Sequence, residues 1–337
     1  MAALIGTAGA IVAFGANTEA RAWGKLGHLT VCDLAYRNLT DTSRGAVREL
    51  MRTGRGGITV RGSGQMPDRH YTAFNAGCLE EDELPRRHPD DHFVNLPRNA
   101  ETLPGGTCPP QAAQGRCILE GIRRDFGTLR DVARSPDERV FALMALGHWV
   151  GDIHQPLHVS FADDRGGNSI DARLEGRCGR SRYRPDNLHG VWDNCLLEAG
   201  MFERVRQRAD FKRSWGTRTI TYRAVDTLQA NTPVSEEQAL VQGEPWQWAA
   251  ESFAVTLQPE VRYCVRSGAN CAYSADAVTL LRNAPKRLEQ LDQAYLATFD
   301  RTAQEQVRRA GFRLAHLLNQ ALDPAYGQTI QNSGQPQ

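Results

Sequence analysis

The chain has almost no charge to spare: 40 Lys and Arg face 39 Asp and Glu, for a formal net charge of +1. No strong field therefore advertises a polyanionic partner. This counts against a protein that grips nucleic acid through a basic surface. It leaves open one that draws phosphate with bound cations, whose charge a residue count omits. Aromatic residues are also few, at 7%. No internal repeat or domain-separating linker is visible, and strand-type alternation is scarce. One apolar run, residues 2–16, is short for a spanning helix and rich in Gly and Ala. Ala20-Arg21-Ala22 follows it and forms an A-x-A cleavage signal before Trp23, so residues 1–22 read as a signal peptide. The usual basic residue after Met1 is missing. Export to the periplasm or the medium fits the eight cysteines, an even number suited to an oxidising compartment. Cys108 with Cys117 and Cys264 with Cys271 are the local pairs that spacing suggests, although spacing leaves connectivity open.

What is present is helix. The 337 residues are 41% hydrophobic. That is enough for a large core. Apolar residues over 26–39 recur at helical steps, with His28 near the start. Residues 54–136 are rich in Gly, Pro and charge and read as long loops holding short helices. Residues 161–185 are irregular, with Gly166-Gly167-Asn168 as a turn signal and room for a short hairpin. Helices are expected over 189–209, over 235–253 with a bend at Pro245, over 275–299 and over 302–322. A polar tail spans 324–337. The expected fold class is all-α: one multi-helix domain over 23–323 with long loops.

The stretch 139–158, RVFALMALGHWVGDIHQPLH, organises the rest. Val140, Leu143, Met144, Leu146 and Val150 fall at three- and four-residue steps, as a buried helix requires. His148 and Asp152 are set into that run four residues apart, so they leave one helix face. Pro156 should stop the helix, with His158 on the exit. These are metal-ligand types, yet a core histidine bonded to an aspartate explains this stretch alone equally well. The rest of the chain breaks the tie. His189 and Asp193 in HGVWD repeat the spacing. Asp68 in MPDRH and His92 in DDHFVNLP add a carboxylate and an imidazole from the loops. His28 lies five residues after Trp23, whose free α-amino group and carbonyl would chelate a metal after cleavage. Nitrogen and oxygen donors without thiolate suit catalytic zinc with open positions. His70, His88 and His316 lack a paired carboxylate at ligand spacing and read as surface or packed side chains, while His154, on the helix exit between ligands, reads as a structural residue or one that supports a ligand rather than as a further zinc ligand.

The set Trp23, His28, Asp68, His92, His148, Asp152, His158, His189 and Asp193 resembles the ligands of the three-zinc single-strand nucleases of the S1/P1 type. Their relatives include the bacterial zinc-dependent phospholipases C. The resemblance implies three Zn2+ ions. Asp68, His92, His148 and Asp152 would hold one; Trp23, His28 and the bridging Asp152 a second; His158, His189 and Asp193 the third. It further implies that a zinc-bound hydroxide attacks phosphorus in line and cleaves P–O3′ of single-stranded DNA and RNA, leaving 5′-phosphates, with 3′-nucleotides as further substrates. No protein nucleophile is needed. Phe93 matches a position whose ring stacks on a base, against the alternative of core packing. Asn168 matches one that bonds the base edge. Asn95 departs from the aspartate common three residues after this histidine: an amide can orient water but cannot act as a carboxylate base. Arg98 offers positive charge near the scissile phosphate, with a solvated loop arginine as the equal alternative. No membrane or stable protein partner is implied, and a monomer is expected.

Two other readings fit the same residues. A phospholipase C would use the same scaffold on lipid phosphoesters, but its second helical pair is usually His-x-x-x-Glu, and Asp193 with the GGN loop favours the nuclease. A secreted zinc-binding protein without turnover would need closed sites, whereas this donor set leaves positions open.

Overall fold

The computed structural model describes residues 23–54, 74–97, 99–110, 112, 115–176, 178, 185–230, 234–267, 270–272 and 287–326. Within them the long helices are α1 (Lys25–Arg37), α2 (Asp41–Thr53), α3 (Ile118–Arg130), α4 (Pro136–Asp152), α5 (Leu196–Arg206), α6 (Thr217–Ala230), α7 (Val234–Leu240), α8 (Pro245–Thr256) and α9 (Gln293–Leu322). Six strands of three or four residues, β1 (Val94–Leu96), β2 (Val159–Phe161), β3 (Asp171–Leu174), β4 (Val265–Ser267), β5 (Asn270–Ala272) and β6 (Leu288–Leu291), pair two by two. Helices carry the core and the strands pin loops, so the all-α expectation holds. No helix among the described residues is long and apolar enough to cross a membrane.

Helix α4 is the axis. Ser135 caps it by accepting from Glu138 N, and Glu138 reaches back to Ser135 N at 2.9 Å. That reciprocal capping, with Pro136 in the first turn, explains why the helix starts three residues before the apolar stretch. From Val140 onward every residue but Phe141 is buried. Leu143, Leu146, Trp149 and Val150 are wholly enclosed. Each contributes roughly 1.5–3 kcal/mol of apolar burial. A helix apolar on nearly all sides belongs inside, and α1, α2, α3 and α9 pack around it. The β1–β2 ladder pairs Val94 with Val159 and so draws the His92 segment beside the α4 exit.

Close approach to α1 depends on two glycines one turn apart. A Cβ at Gly147 would meet the sulfurs of the Cys32–Cys78 disulfide at 2.6 and 2.8 Å. A Cβ at Gly151 would meet His28 Nδ1 at 2.8 Å. Cys108–Cys117 forms as its spacing suggested, Cys178–Cys195 ties residue 178 to the segment after Asp193, and Cys264 is also oxidised.

Several local expectations need correction. The loop-rich segment contains a full helix, α3, and a second unforeseen helix, α2, precedes it. Pro245 does not bend one helix; it begins α8, separate from α7, because Glu244 and Gln247 cap there. Residues 288–291 are a strand, β6, rather than helix, and α9 then runs unbroken through Thr302. Residues 275–286 of that expected helix lie outside the described residues. Strand β3 pairs in parallel with distant β6 instead of closing a hairpin within 161–185.

Candidate metal centre

Three groups of imidazoles and carboxylates meet beneath one opening: His28, His148 and Asp152; Asp82, His92 and His148; and His158, His189 and Asp193. His148 is common to the first two groups, and Asp152 of the first group also lies against His92 of the second. Asp152 Oδ1 lies 3.3 Å from His28 Nε2, and its Oδ2 lies 3.1 Å from His92 Nδ1 and 3.3 Å from His148 Nε2. The His28 and His148 rings stack with centroids 3.9 Å apart. Asp82 Oδ1 is 3.9 Å from His148 Nε2, and Arg86 donates to the same oxygen at 2.9 Å. In the third group His189 Nε2 is 3.4 Å from Asp193 Oδ2, and His158 Nε2 is 3.9 Å from Asp193 Oδ1.

Backbone carbonyls orient three of these rings. His148 Nδ1 donates to Cys78 O at 2.8 Å, His158 Nδ1 to His92 O at 2.5 Å and His189 Nδ1 to Gly166 O at 2.6 Å. A carbonyl only accepts, so each Nδ1 carries a proton, and the His158 and His189 rings, which burial keeps neutral, turn their Nε2 lone pairs inward. The result is acceptor facing acceptor: His158 and His189 Nε2 sit 3.1 Å apart beside a carboxylate. Both ring nitrogens of His28, Nε2 of His92 and Oδ1 of Asp152 are buried without a hydrogen-bond partner. Such convergence is costly in a protein interior unless a cation occupies it. Outer contacts of this kind accompany metal-ligating histidines generally.

Burial and neighbours pull the groups apart electrostatically. Burial and the nearby His148 lower the pKa of His28, and burial pushes His189 down to about 3. Burial would lower His148 too, but the carboxylates of Asp152 and Asp82 lift it to about 9. Burial opposes ionisation of Asp152, yet the surrounding histidines hold it well below the usual carboxylate range. Asp193 goes the other way, raised well above that range by burial despite the Gln155 amide.

Above the groups is a cleft of about 430 Å³, lined in part by His92, His158 and His189 and by Phe93, Asn95, Arg165 and Asn168. Phe93, Asn95 and Asn168 are half-buried in that lining. Asn168 Nδ2 already donates to Arg165 O at 2.7 Å, which leaves its oxygen for any ligand. A larger cavity of about 800 Å³ near Trp246 includes none of these residues, so volume does not mark the site. Trp23 is fully buried, and Gly24 N donates to Asp193 O at 2.7 Å, which sets the start of α1 against the Asp193 segment. Asp68, Arg98, His70 and residues 1–22 lie outside the described residues.

Two participants escaped sequence reading. Asp82, in the short helical turn Glu80–Asp82, is the described carboxylate that joins His92 and His148 in one group. Its signal was an acidic cluster ten residues before His92, which looks like any solvated loop. Gln155 donates to Asp193 Oδ1 at 2.6 Å and accepts from Leu157 N, linking the α4 exit to the third group. His154 is structural, as expected: its ring bonds Val150 O and the buried Arg313. His88 and His316 pair with Glu81 and Tyr326.

Comparison with known proteins agrees with this arrangement. The family model described as S1/P1 Nuclease matches residues 23–323. Endonuclease 2 of Arabidopsis thaliana is 29% identical over 52% of this chain and 56% of its own length. Endonuclease 4 of the same plant is 31% identical over 53% and 56%. Nuclease P1 of Penicillium citrinum is 26% identical over 52% and 58%. The chain thus spans little more than half the length of the curated relatives it matches. With a family match that takes in both His-x-x-x-Asp pairs and the start of α1, the chain belongs to the S1/P1 nuclease family.

Proposed function

We propose that this chain is an exported zinc-dependent endonuclease that hydrolyses the P–O3′ bond of single-stranded DNA and RNA to 5′-phosphates and also dephosphorylates 3′-nucleotides. The observation that carries the reading is the set of inward-turned lone pairs, above all the His158 and His189 nitrogens 3.1 Å apart with no donor between them. The donor set fits three zinc ions. His92, His148 and Asp152 would hold one, with a fourth ligand from Asp68, as the family resemblance implies, or from Asp82, which shares a group with the two histidines. His28 and Asp152, with the amine and carbonyl of Trp23 freed by cleavage, would hold the second. His158, His189 and Asp193 would hold the third. Zinc supplies Lewis acidity there, making water a competent nucleophile near neutral pH and drawing charge from the phosphate.

The chain's own residues do the rest. Phe93 offers a ring face for any unpaired base, which favours single strands. Asn95 and the Asn168 oxygen can bond water or a base edge. Among the described residues the cleft lining has no hydroxyl, thiol or amine side chain, so none of them competes as a nucleophile. Arg86 and Gln155 hold Asp82 and Asp193 in place.

The test uses mature protein beginning at Trp23, alongside a version with an added N-terminal Met and the Asp152→Ala variant. Zinc content is measured by mass spectrometry, and activity on single-stranded DNA, RNA and phosphatidylcholine. Three zinc ions and cleavage to 5′-phosphates, with zinc and activity reduced in both variants, are expected. Turnover of the lipid alone would move the chain to the phospholipase branch. Full zinc occupancy with no turnover would replace the enzyme by a binding protein.

A further inference from the structure

We propose that Arg165 is a positioning residue that grips a phosphate flanking the scissile one, so that the cleft reads a strand as well as a single phosphoester. This rests on the nuclease reading above. Arg165 lines the cleft together with His158 and His189. Of the two arginines in that lining, Arg86 is committed to Asp82 at 2.9 Å. Arg165 is solvent-exposed, and among the described residues no carboxylate pairs with it. It is therefore a cation available to a ligand, in a cleft whose described lining includes no carboxylate.

The loop beneath it holds the Arg165 backbone in place. Arg165 itself adopts φ 57°, and Gly166 and Gly167 follow at 65° and 83°. The left-handed conformation is uncommon for a residue other than glycine. The buried Asp164 fastens the loop, accepting from Gly167 N at 2.9 Å and from Tyr263 OH at 2.7 Å. Asn168 Nδ2 donates to the Arg165 carbonyl, and the next carbonyl, that of Gly166, receives the proton of His189 Nδ1. The backbone that aims Arg165 therefore also aims a ligand of the third group. A guanidinium in this register meets a strand's next phosphate as the reacting one reaches the centre, and its planar donors suit phosphate oxygens.

The experiment compares wild type, Arg165→Gln and Arg165→Lys on a short oligothymidylate and on thymidine 3′-monophosphate, over a range of salt. Zinc content of each variant checks that the loop and third group survive. For Arg165→Gln the oligonucleotide KM should rise about threefold to tenfold with kcat nearly constant, as for loss of one exposed charge-assisted contact. The slope of log(kcat/KM) against log salt should become shallower by ~0.7, the value for one phosphate contact on a single strand. Arg165→Lys should recover most of the salt slope. An unchanged slope, or an equal loss on both substrates, would overturn the assignment. Failure of wild type to cleave either substrate would instead overturn the nuclease reading.

Discussion

The two His-x-x-x-Asp pairs share a spacing and little else. His148 and Asp152 lie in the last turns of a regular α-helix, walled by α1 and the His92 segment. His189 and Asp193 lie where a single α-turn, Leu188–Gly190, widens into a π-helical turn, Val191–Cys195, before α5. In the first pair the carboxylate is surrounded by four imidazoles, those of His28, His92, His148 and His158. In the second it faces two imidazoles and an amide. Opposite pKa directions follow: imidazoles outweigh burial at Asp152, whereas burial wins at Asp193. A π-turn is a frequent companion of functional sites. Here it carries the aspartate whose backbone carbonyl also receives Gly24 N. A four-residue spacing therefore specifies a shared face, while the neighbours decide which way the carboxylate's pKa moves.

The pairs should diverge most at their carboxylates. Asp152→Ala should remove two of three zinc ions and cost at least about a thousandfold in activity, the scale of deleting a group that stabilises transition-state charge. Asp193→Ala should remove one ion. Metal counting on both variants is decisive, and equal losses would mean that Asp152 is no bridge. Next come the two glycines that admit the rings. Gly151→Ala drives a methyl against His28, and Gly166→Ala strains a positive φ while pressing on Leu157 O. Each should destabilise by about 1–3 kcal/mol. Gly151→Ala should also lose the ion at His28 while keeping the one at His189, and Gly166→Ala should do the reverse. Thermal melts with zinc titration report both, and loss of the same ion in both variants would deny that the groups are separable. The smallest effect is at Gln155. Gln155→Ala leaves both pairs intact but frees Asp193 Oδ1, so zinc affinity at the third group should fall about tenfold to a hundredfold. An unchanged chelator competition curve would show that the amide does not orient that carboxylate.

Much of the site was legible because it is local. Helical periodicity alone sets His148 beside Asp152 and His189 beside Asp193, and apolar flanks imply that both pairs are buried. The His92-Phe93 dipeptide and the GGN turn were legible as loop features, and both reach the cleft. Asp82 was not, since its place depends on a fold that brings residue 82 to His148, more than sixty residues away. The β3–β6 pairing was equally invisible, because strands of four residues carry almost no pattern of their own. Helix α3 was hidden among the Gly, Pro and charged residues around it, although its apolar face packs on α4.

Composition and short-range geometry are written residue by residue. They were enough to give the donor chemistry, the two helical pairs and the all-α class. Folding then gathered four imidazoles around Asp152 and stood Asp82 beside His148. It turned the His158 and His189 lone pairs on each other through carbonyls of His92 and Gly166, and it set Arg165 at the mouth of the cleft. Most of these are contacts between segments distant in the chain. They are set by the burial of α4 among its neighbours and by the carbonyls that this burial happens to present.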